Sequence, residues 1–210
     1  MKKLSLALIG VSALLAVAAA PSAAYADCQV GNCWGAVAYG PGGAWAYAVN
    51  YPAGYNFLTT GWGADDARGH IAWMADNCPN TRIVLGGFSQ GALLSLELVA
   101  RHDGLAGRVL AFGGRYCTLP AAAPRLSTLH FLHGREDAIF TLADVQQAFD
   151  HLAERRGDAT LDVAHGVGHE LHPALIECAL QRLRTHIPRR TWEEALGALP
   201  AGTPPGDELH

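Results

Sequence analysis

The sequence predicts an α/β fold built on a mostly parallel sheet with helices on both faces. Short runs of continuous apolar residues, such as RIVLGGF at 82–88 and GRVLAFGG at 107–114, alternate with longer amphipathic segments. Strands of a parallel sheet that is buried on both faces have this composition. Half of the 210 residues are hydrophobic, which is enough for one domain with a sizeable core.

The predicted elements follow one another in a regular order. Two short strands, WGAVAY and AWAYAVNY, flank a GPGG turn, and residues 63–78 form a helix that begins with acidic residues and ends before Pro79. The rest of the domain consists of strand 82–88, helix 90–102, strands 107–114 and 128–134, helix 142–157, strand 159–165 and helix 172–186. Nothing in the pattern marks a second globular domain.

Both ends of the chain differ from this pattern. The opening MKK, an apolar run from Leu4 to Ala20 and small residues at Ala24 and Ala26 predict a signal peptide over 1–26. The α/β domain then covers 27–190, and a C-terminal segment covers 191–210, with its Pro- and Gly-rich last part expected to be disordered. We therefore expect a secreted or periplasmic protein with no stable membrane insertion once the signal is removed.

Export places the cysteines in an oxidising compartment, where they are more often structural than catalytic. There are five, so they cannot all pair, and composition leaves the pairs open among Cys28, Cys33, Cys78, Cys117 and Cys178. The formal net charge is −4, and no cluster of lysines and arginines suggests a nucleic-acid partner. We expect a monomer.

The stretch GFSQG presents Ser89 between Gly87 and Gly91, after a predicted strand and before a predicted helix. The G-x-S-x-G pattern in this context is typical of a nucleophile elbow, which lifts the serine hydroxyl to the carboxyl edge of the sheet. Bulkier residues at the two glycines would collide with the neighbouring strand and helix. The backbone N–H of Gln90 is then placed to donate to a developing oxyanion.

A serine nucleophile needs a base and an orienting carboxylate, which in this fold follow in the order Ser, Asp, His. Asp137 comes after the predicted strand TLHFLHG, and His169 lies in a glycine-rich loop after the predicted strand ATLDVAH. Catalytic groups collect beyond the carboxyl ends of such strands. Ser89, Asp137 and His169 are therefore the predicted catalytic residues.

The acid has two rivals nearby. Glu136 lies in the same loop as Asp137 but would point in a different direction. Asp144 falls in the first turn of a predicted helix, where the helix dipole alone accounts for a carboxylate.

The base also has rivals. His165 is still at a strand end, and His172 precedes Pro173 at a helix start. His130 and His133 alternate with apolar residues on a strand, which is typical of core or edge histidines. The sequence HELH is not the H-E-x-x-H metal motif, and the cysteines lack C-x-x-C spacing, so we expect neither a catalytic metal nor another cofactor.

Two families resemble different parts of the chain. The stretch from VNYPAGYNFL through GHIAWMADNCPNTRIVLGGFSQGA resembles secreted bacterial cutinases, in its YPA segment, its CP before the strand and its GFSQGA elbow. From about Gly107 to Leu199 the chain is similar to small carboxylesterase and acyl-thioesterase-like hydrolases. There FLHGREDAIF corresponds to the H-G-x-x-D loop that holds the acid, and HGVGHEL corresponds to the G-x-G-H loop that holds the base.

The resemblance implies an α/β-hydrolase fold with Ser89 as nucleophile, Gln90 as an oxyanion N–H donor, Asp137 as acid and His169 as base. In the cutinase-like part it also implies a disulfide between Cys78 and either Cys28 or Cys33.

The N-terminal edge departs from both families. CQVGNCWGAVAYGPGGAW replaces the strand and loop that supply the second oxyanion donor, so this edge is expected to be atypical or truncated. The GPGG turn at residues 40–43 is the candidate for that donor. No cysteine lies near Asp137, where cutinases have a disulfide.

The function expected from these residues is a secreted serine esterase, cutinase-like or a short-chain carboxylesterase, acting on small or polymeric esters through an acyl-enzyme. Four aromatic residues either line an acyl groove or belong to the core: Tyr55, Phe57, Trp62 and Phe140. The alternative is a non-catalytic or weakly active secreted scaffold of the same fold, which the unusual N-terminal edge favours.

Overall fold

The computed structural model describes residues 4–8, 28–29, 32–33, 37–40, 44–48, 68–69, 71–73, 76 and 82–197. Its strands are β1 (Leu4–Leu8), β2 (Cys28–Gln29), β3 (Asn32–Cys33), β4 (Val37–Gly40), β5 (Ala44–Ala48), β6 (Arg82–Phe88), β7 (Arg108–Phe112), β8 (Thr128–Gly134) and β9 (Ala159–Ala164). Its helices are α1 (Gln90–Arg101), α2 (Leu142–Glu154), α3 (Pro173–Thr185) and α4 (Arg189–Gly197). Residues 68–69, 71–73 and 76 are also helical.

The main sheet has seven strands in the order β4-β5-β1-β6-β7-β8-β9. β4 pairs antiparallel with β5, and every other neighbouring pair is parallel. The prediction of a mostly parallel sheet is therefore confirmed. A separate two-stranded ribbon joins β2 to β3, with the backbone of Cys28 opposite that of Cys33.

Helices cover both faces of the sheet. Successive residues of a strand point to opposite faces, so Leu85 lies in a core cluster with residues of α1 and α2, while its neighbour Val84 lies in a second cluster with residues of α3. The same alternation runs along β7 and β8, whose residues divide between the two clusters. Burial on both faces explains the continuous apolar runs in the sequence.

Besides the β2–β3 ribbon, the structure adds two elements to those that the sequence predicts. β1 lies within the segment predicted as a signal peptide, so the domain boundary before Asp27 stays a prediction. Helix α4 crosses the predicted boundary at 190, and none of its residues is buried. Within the described ranges, no helix combines the length and apolar character needed to cross a membrane.

Candidate active site

Ser89 occupies a strained turn between β6 and α1. Its φ is +55° and its ψ is −116°, a region that residues other than glycine rarely adopt. Its backbone N–H donates to the Phe112 carbonyl of β7 at 2.9 Å, which fixes the turn above the sheet. A Cβ on Gly87 would lie 2.2 Å from the backbone of Gly91, so this turn requires glycine at that position.

The structure brings Ser89, His169 and Asp137 together in one chain of hydrogen bonds. His169 Nε2 lies 2.9 Å from Ser89 Oγ, and His169 Nδ1 lies 2.7 Å from Asp137 Oδ2. A carboxylate accepts, so Nδ1 carries the proton and Nε2 is left to accept from the serine hydroxyl. This is the arrangement in which a serine can be deprotonated at the moment of attack.

Asp137 is held from the opposite side by its own loop. Its side chain is fully buried, and Oδ1 accepts from the backbone N–H groups of Ile139 at 2.8 Å and Phe140 at 2.9 Å. Burial raises the pKa of this carboxyl, but the hydrogen bonds from His169, Phe140 and Ile139 outweigh it and hold the pKa below its usual value. The lowered pKa keeps Asp137 ionised, so its carboxylate can accept the Nδ1 hydrogen bond of His169.

The two rival acids lie away from the base and have other contacts. Glu136 Oε2 accepts from the Val167 N–H at 3.0 Å, and the Glu136 N–H donates to the Val167 carbonyl at 3.0 Å, so this residue joins the acid loop to the base loop. Asp144 forms a capping box with Thr141 at the start of α2.

The two rival bases also lie outside the hydrogen-bonded chain. His165 is exposed at the end of β9. His172 is the N-cap of α3, and its Nδ1 accepts from the Ala174 N–H at 3.2 Å.

Both histidines of β8 are fully buried. His130 lies near the amino end of the strand, where its Nδ1 is 2.9 Å from Thr160 Oγ1. His133 lies near the carboxyl end, where its Nε2 donates to the Phe140 carbonyl at 2.9 Å and is 3.8 Å from Asp137 Oδ2. Burial lowers the pKa of His133 and keeps it neutral.

The sequence pattern predicts His133 only as a core or edge residue and does not reveal this contact with the acid loop. The signal was the position of His133 in the H-G-x-x-D loop itself.

Two aromatic rings pack against the base. The Phe88 ring lies 4.9 Å from the His169 ring, and the Phe140 ring lies 5.6 Å from it, edge on. Of the four aromatic residues that were open between an acyl groove and the core, Phe140 therefore contacts the base. The other three, Tyr55, Phe57 and Trp62, lie outside the described residues.

The predicted oxyanion donor Gln90 is the first residue of α1, directly after Ser89. In the described part of the chain its backbone N–H has no hydrogen-bond acceptor, so it is free to bind an incoming oxygen.

Residues 41–43 of the predicted GPGG turn lie outside the described residues, so the second donor stays a prediction. Gly40 and Ala44 flank this turn, and β5 pairs in register with β1 and through it with β6, so Ala44 lies level with Arg82. That is the amino edge of the sheet, about 20 Å from Ser89 at 3.3 Å per residue. Gly40, the described residue of that turn, therefore lies far from Ser89.

The described residues contain no cluster of three or more His, Cys, Asp or Glu side chains that could hold a metal ion. Two cysteines in the described range, Cys117 and Cys178, are free thiols. The side chains of Cys28, Cys33 and Cys78 lie outside the described residues, so the predicted disulfide stays a prediction.

Two family models match the chain. The phospholipase/carboxylesterase model matches residues 71–187, which include all three members of the hydrogen-bonded chain. The cutinase model matches residues 18–123, which include the serine turn. The two matches overlap at the elbow, in agreement with the division seen in the sequence.

Individual relatives show the same division. Esterase YpfH of Escherichia coli K12 is 42% identical over 122 residues, which are 58% of this chain and 51% of that protein. Carboxylesterase Culp1 of Mycobacterium tuberculosis H37Rv is 48% identical over 67 residues, which are 31% of each chain. The chain thus matches about half the length of the first relative and a third of the second.

Among solved structures, esterase PE8 superimposes with a TM-score of 0.56 at 19% identity, covering 89% of this chain and 93% of that one. At this identity the likeness concerns the fold, which is that of the α/β-hydrolases.

Proposed function

The chain belongs to the phospholipase/carboxylesterase family of α/β-hydrolases, and on that premise we propose that it is a serine esterase that hydrolyses carboxylic esters through an acyl-enzyme. The observation that carries the proposal is the unbroken set of hydrogen bonds from Ser89 through His169 to Asp137. The two relatives described above bear the names esterase and carboxylesterase, which supports the same reaction class.

In the proposed mechanism, Ser89 Oγ attacks the ester carbonyl while His169 Nε2 takes the hydroxyl proton. Asp137 holds the Nδ1 proton of His169 and stabilises the imidazolium that forms. The Gln90 N–H donates to the tetrahedral oxyanion. The imidazolium then gives its proton to the departing alcohol. A water molecule attacks the acyl-enzyme next, giving its proton to His169 Nε2, and the imidazolium returns a proton to Ser89 Oγ as the acid leaves.

We also propose that the protein is exported and that its specificity is cutinase-like or that of a short-chain carboxylesterase. The N-terminal composition supports export, and the match to the cutinase model supports the first kind of specificity. Acyl-chain preference depends on the shape of the pocket, so it has to be measured on a series of esters.

The test uses purified protein and p-nitrophenyl esters of increasing acyl length, with Ser89→Ala as the decisive variant. We expect Ser89→Ala to lower kcat by about 10⁴-fold or more, since a triad without its nucleophile keeps little activity. Ser127→Ala is the matched control, because its buried hydroxyl donates to the Ala106 carbonyl near the amino end of β8, at the opposite edge of the sheet.

Labelling by a fluorophosphonate measures serine activation independently of the ester chosen. We expect the wild-type chain and Ser127→Ala to be labelled, and Ser89→Ala to remain unlabelled. A folded wild-type chain that is neither labelled nor faster than Ser89→Ala on any ester would favour the non-catalytic scaffold instead.

A further inference from the structure

The segment that follows β7 runs directly over the proposed triad. A Cβ added to Gly113 would lie 3.4 Å from His169 Nδ1 and 3.5 Å from Asp137 Oδ2. A Cβ added to Gly114 would lie 3.1 Å from the Ser89 carbonyl oxygen and 2.4 Å from Ala92 Cβ. The next residue, Arg115, is therefore the first full side chain that this segment brings to the site.

The Arg115 guanidinium lies over the Phe140 ring, with Cζ 5.7 Å from the ring centroid. The same ring contacts His169, so only one aromatic side chain separates a permanent positive charge from the base. Stacking uses the face of the guanidinium and leaves N–H groups along its edge available to an acceptor.

Arg115 has fewer partners than its donors allow. A guanidinium has five N–H donors, and Nη1 of Arg115 donates to the Tyr116 carbonyl at 2.9 Å, whereas its buried Nε has no acceptor. Among the described residues no Asp or Glu forms an ion pair with it. Arg182 shows the contrast, because its Nε and Nη2 bind both oxygens of Asp162 at 2.9 and 2.8 Å.

We propose that Arg115 forms an anion subsite beside the scissile ester, and that the protein selects esters that carry a carboxylate or phosphate near the reacting bond. Arg115 is only partly buried, so a substrate can reach it. An anion there would receive charge-assisted hydrogen bonds from the unpaired guanidinium and provide the counter-charge that the described residues do not. This inference rests on the proposed esterase function, since it names the substrate class of the same site.

The test compares pairs of esters in which a second carboxylate is either free or neutralised as its methyl ester. 4-Nitrophenyl hydrogen glutarate and its methyl ester place the charge on the acyl side, and 4-acetoxybenzoate and its methyl ester place it on the alcohol side. We expect the wild type to favour the anionic member of at least one pair. In that pair Arg115→Met should lower the ratio of the two kcat/KM values about tenfold or more, the size of one lost charge-assisted contact.

Two further variants separate charge from shape. Arg115→Lys keeps the charge without the planar fork, so we expect it to restore part of the ratio. Arg125→Met removes an exposed arginine just before β8, at the opposite edge of the sheet, and should leave the ratio unchanged. A wild type without charge preference in either pair, or an unchanged ratio in Arg115→Met, would overturn the proposal.

Binding measured by calorimetry in the Ser89→Ala background tests the subsite without catalysis. We expect adding Arg115→Met to weaken binding of 4-nitrophenyl hydrogen glutarate or 4-acetoxybenzoate about tenfold relative to its methyl ester. If the wild type hydrolyses no ester but this difference is found, the proposed function fails while the subsite stands. If esters are hydrolysed and the difference is absent, the subsite fails alone.

Discussion

Phe140 connects three parts of the proposed site through different atoms. Its N–H donates to Asp137 Oδ1, its carbonyl accepts from His133 Nε2, and its ring packs on His169. His133 thereby holds the end of the loop that carries the acid, although it makes no contact with the reacting atoms. Its Nδ1 is buried without a partner, so this histidine contributes a single strong contact. We infer that His133 is a positioning residue.

Replacing His133 should therefore affect turnover more than substrate affinity. We expect His133→Leu to lower kcat about tenfold, a loss of about 1.4 kcal/mol in transition-state stabilisation, with KM nearly unchanged. His133→Gln can still donate to the Phe140 carbonyl, and it should recover most of the rate. Steady-state kinetics of both variants check this, together with melting temperatures as the measure of folding.

A merely structural role would give a different pattern. If His133→Leu and His133→Gln lowered kcat equally, or in proportion to their loss of melting temperature, His133 would contribute only to core stability and would not position the acid loop.

At the scale of elements, the sequence predicted best the strands and helices whose residue pattern follows directly from which faces are buried. The continuous apolar runs of β6, β7 and β8 and the amphipathic pattern of α2 gave the parallel sheet and its cover, because both patterns follow from which faces are buried. The loop positions of Asp137 and His169 followed from the strand ends. The pairing of β5 with β1 did not follow from the sequence, since strand register depends on residues that are distant in the chain. Helix α4 was not predicted either, and it contributes no buried residue to the core.

Strand β1 lies inside the sheet, whereas the predicted signal peptide that contains it would be removed on export. It is hydrogen-bonded to β5 on one side and β6 on the other, so removing it would open the centre of the sheet. We expect the exported protein to begin at Asp27, because the apolar run and the small residues Ala24 and Ala26 form a cleavage pattern. The intact mass of the protein recovered outside the cytoplasm decides this.

Replacing Ala24 and Ala26 with lysine is the control, since small residues are needed at the cleavage site and the mass should then include residues 1–26. A wild-type mass that retains these residues would contradict the signal-peptide prediction and make β1 a permanent strand of the sheet.

Considered as a whole, the molecule has buried ionisable groups at both edges of the sheet. At the amino edge, His130 contacts Thr160 of β9, its Nε2 is 3.4 Å from Arg108 Nη1, and its ring meets the ring of His186. His186 in turn lies 3.2 Å from Asp158. Burial, followed by the positive charges of Arg108 and its neighbours, lowers the pKa of His130 from 6.5 to about 3.

This buried histidine makes the whole fold sensitive to mild acid. Between pH 6.5 and 3 the unfolded chain binds a proton at residue 130 that the folded chain does not, so stability falls as the pH falls through this range. At pH 5 the loss from His130 alone amounts to about 2 kcal/mol in the free energy of unfolding. His133, whose pKa burial also lowers, adds a loss of the same sign.

Carboxylates such as Asp137, whose pKa is lowered from 3.8, lose their contribution mainly below pH 3.8, where the unfolded chain binds a proton that the folded chain does not. Urea unfolding at pH 7.5, 6 and 5 therefore isolates the histidines. We expect His130→Gln to be less stable than the wild type at pH 7.5, since it loses a fitted contact with Thr160, but to lose about 2 kcal/mol less on going to pH 5. If the free energy of unfolding changed equally with pH in the two proteins, His130 would be protonated as readily in the folded chain as in the unfolded one. That result would contradict the effect expected from its burial and from the neighbouring positive charges.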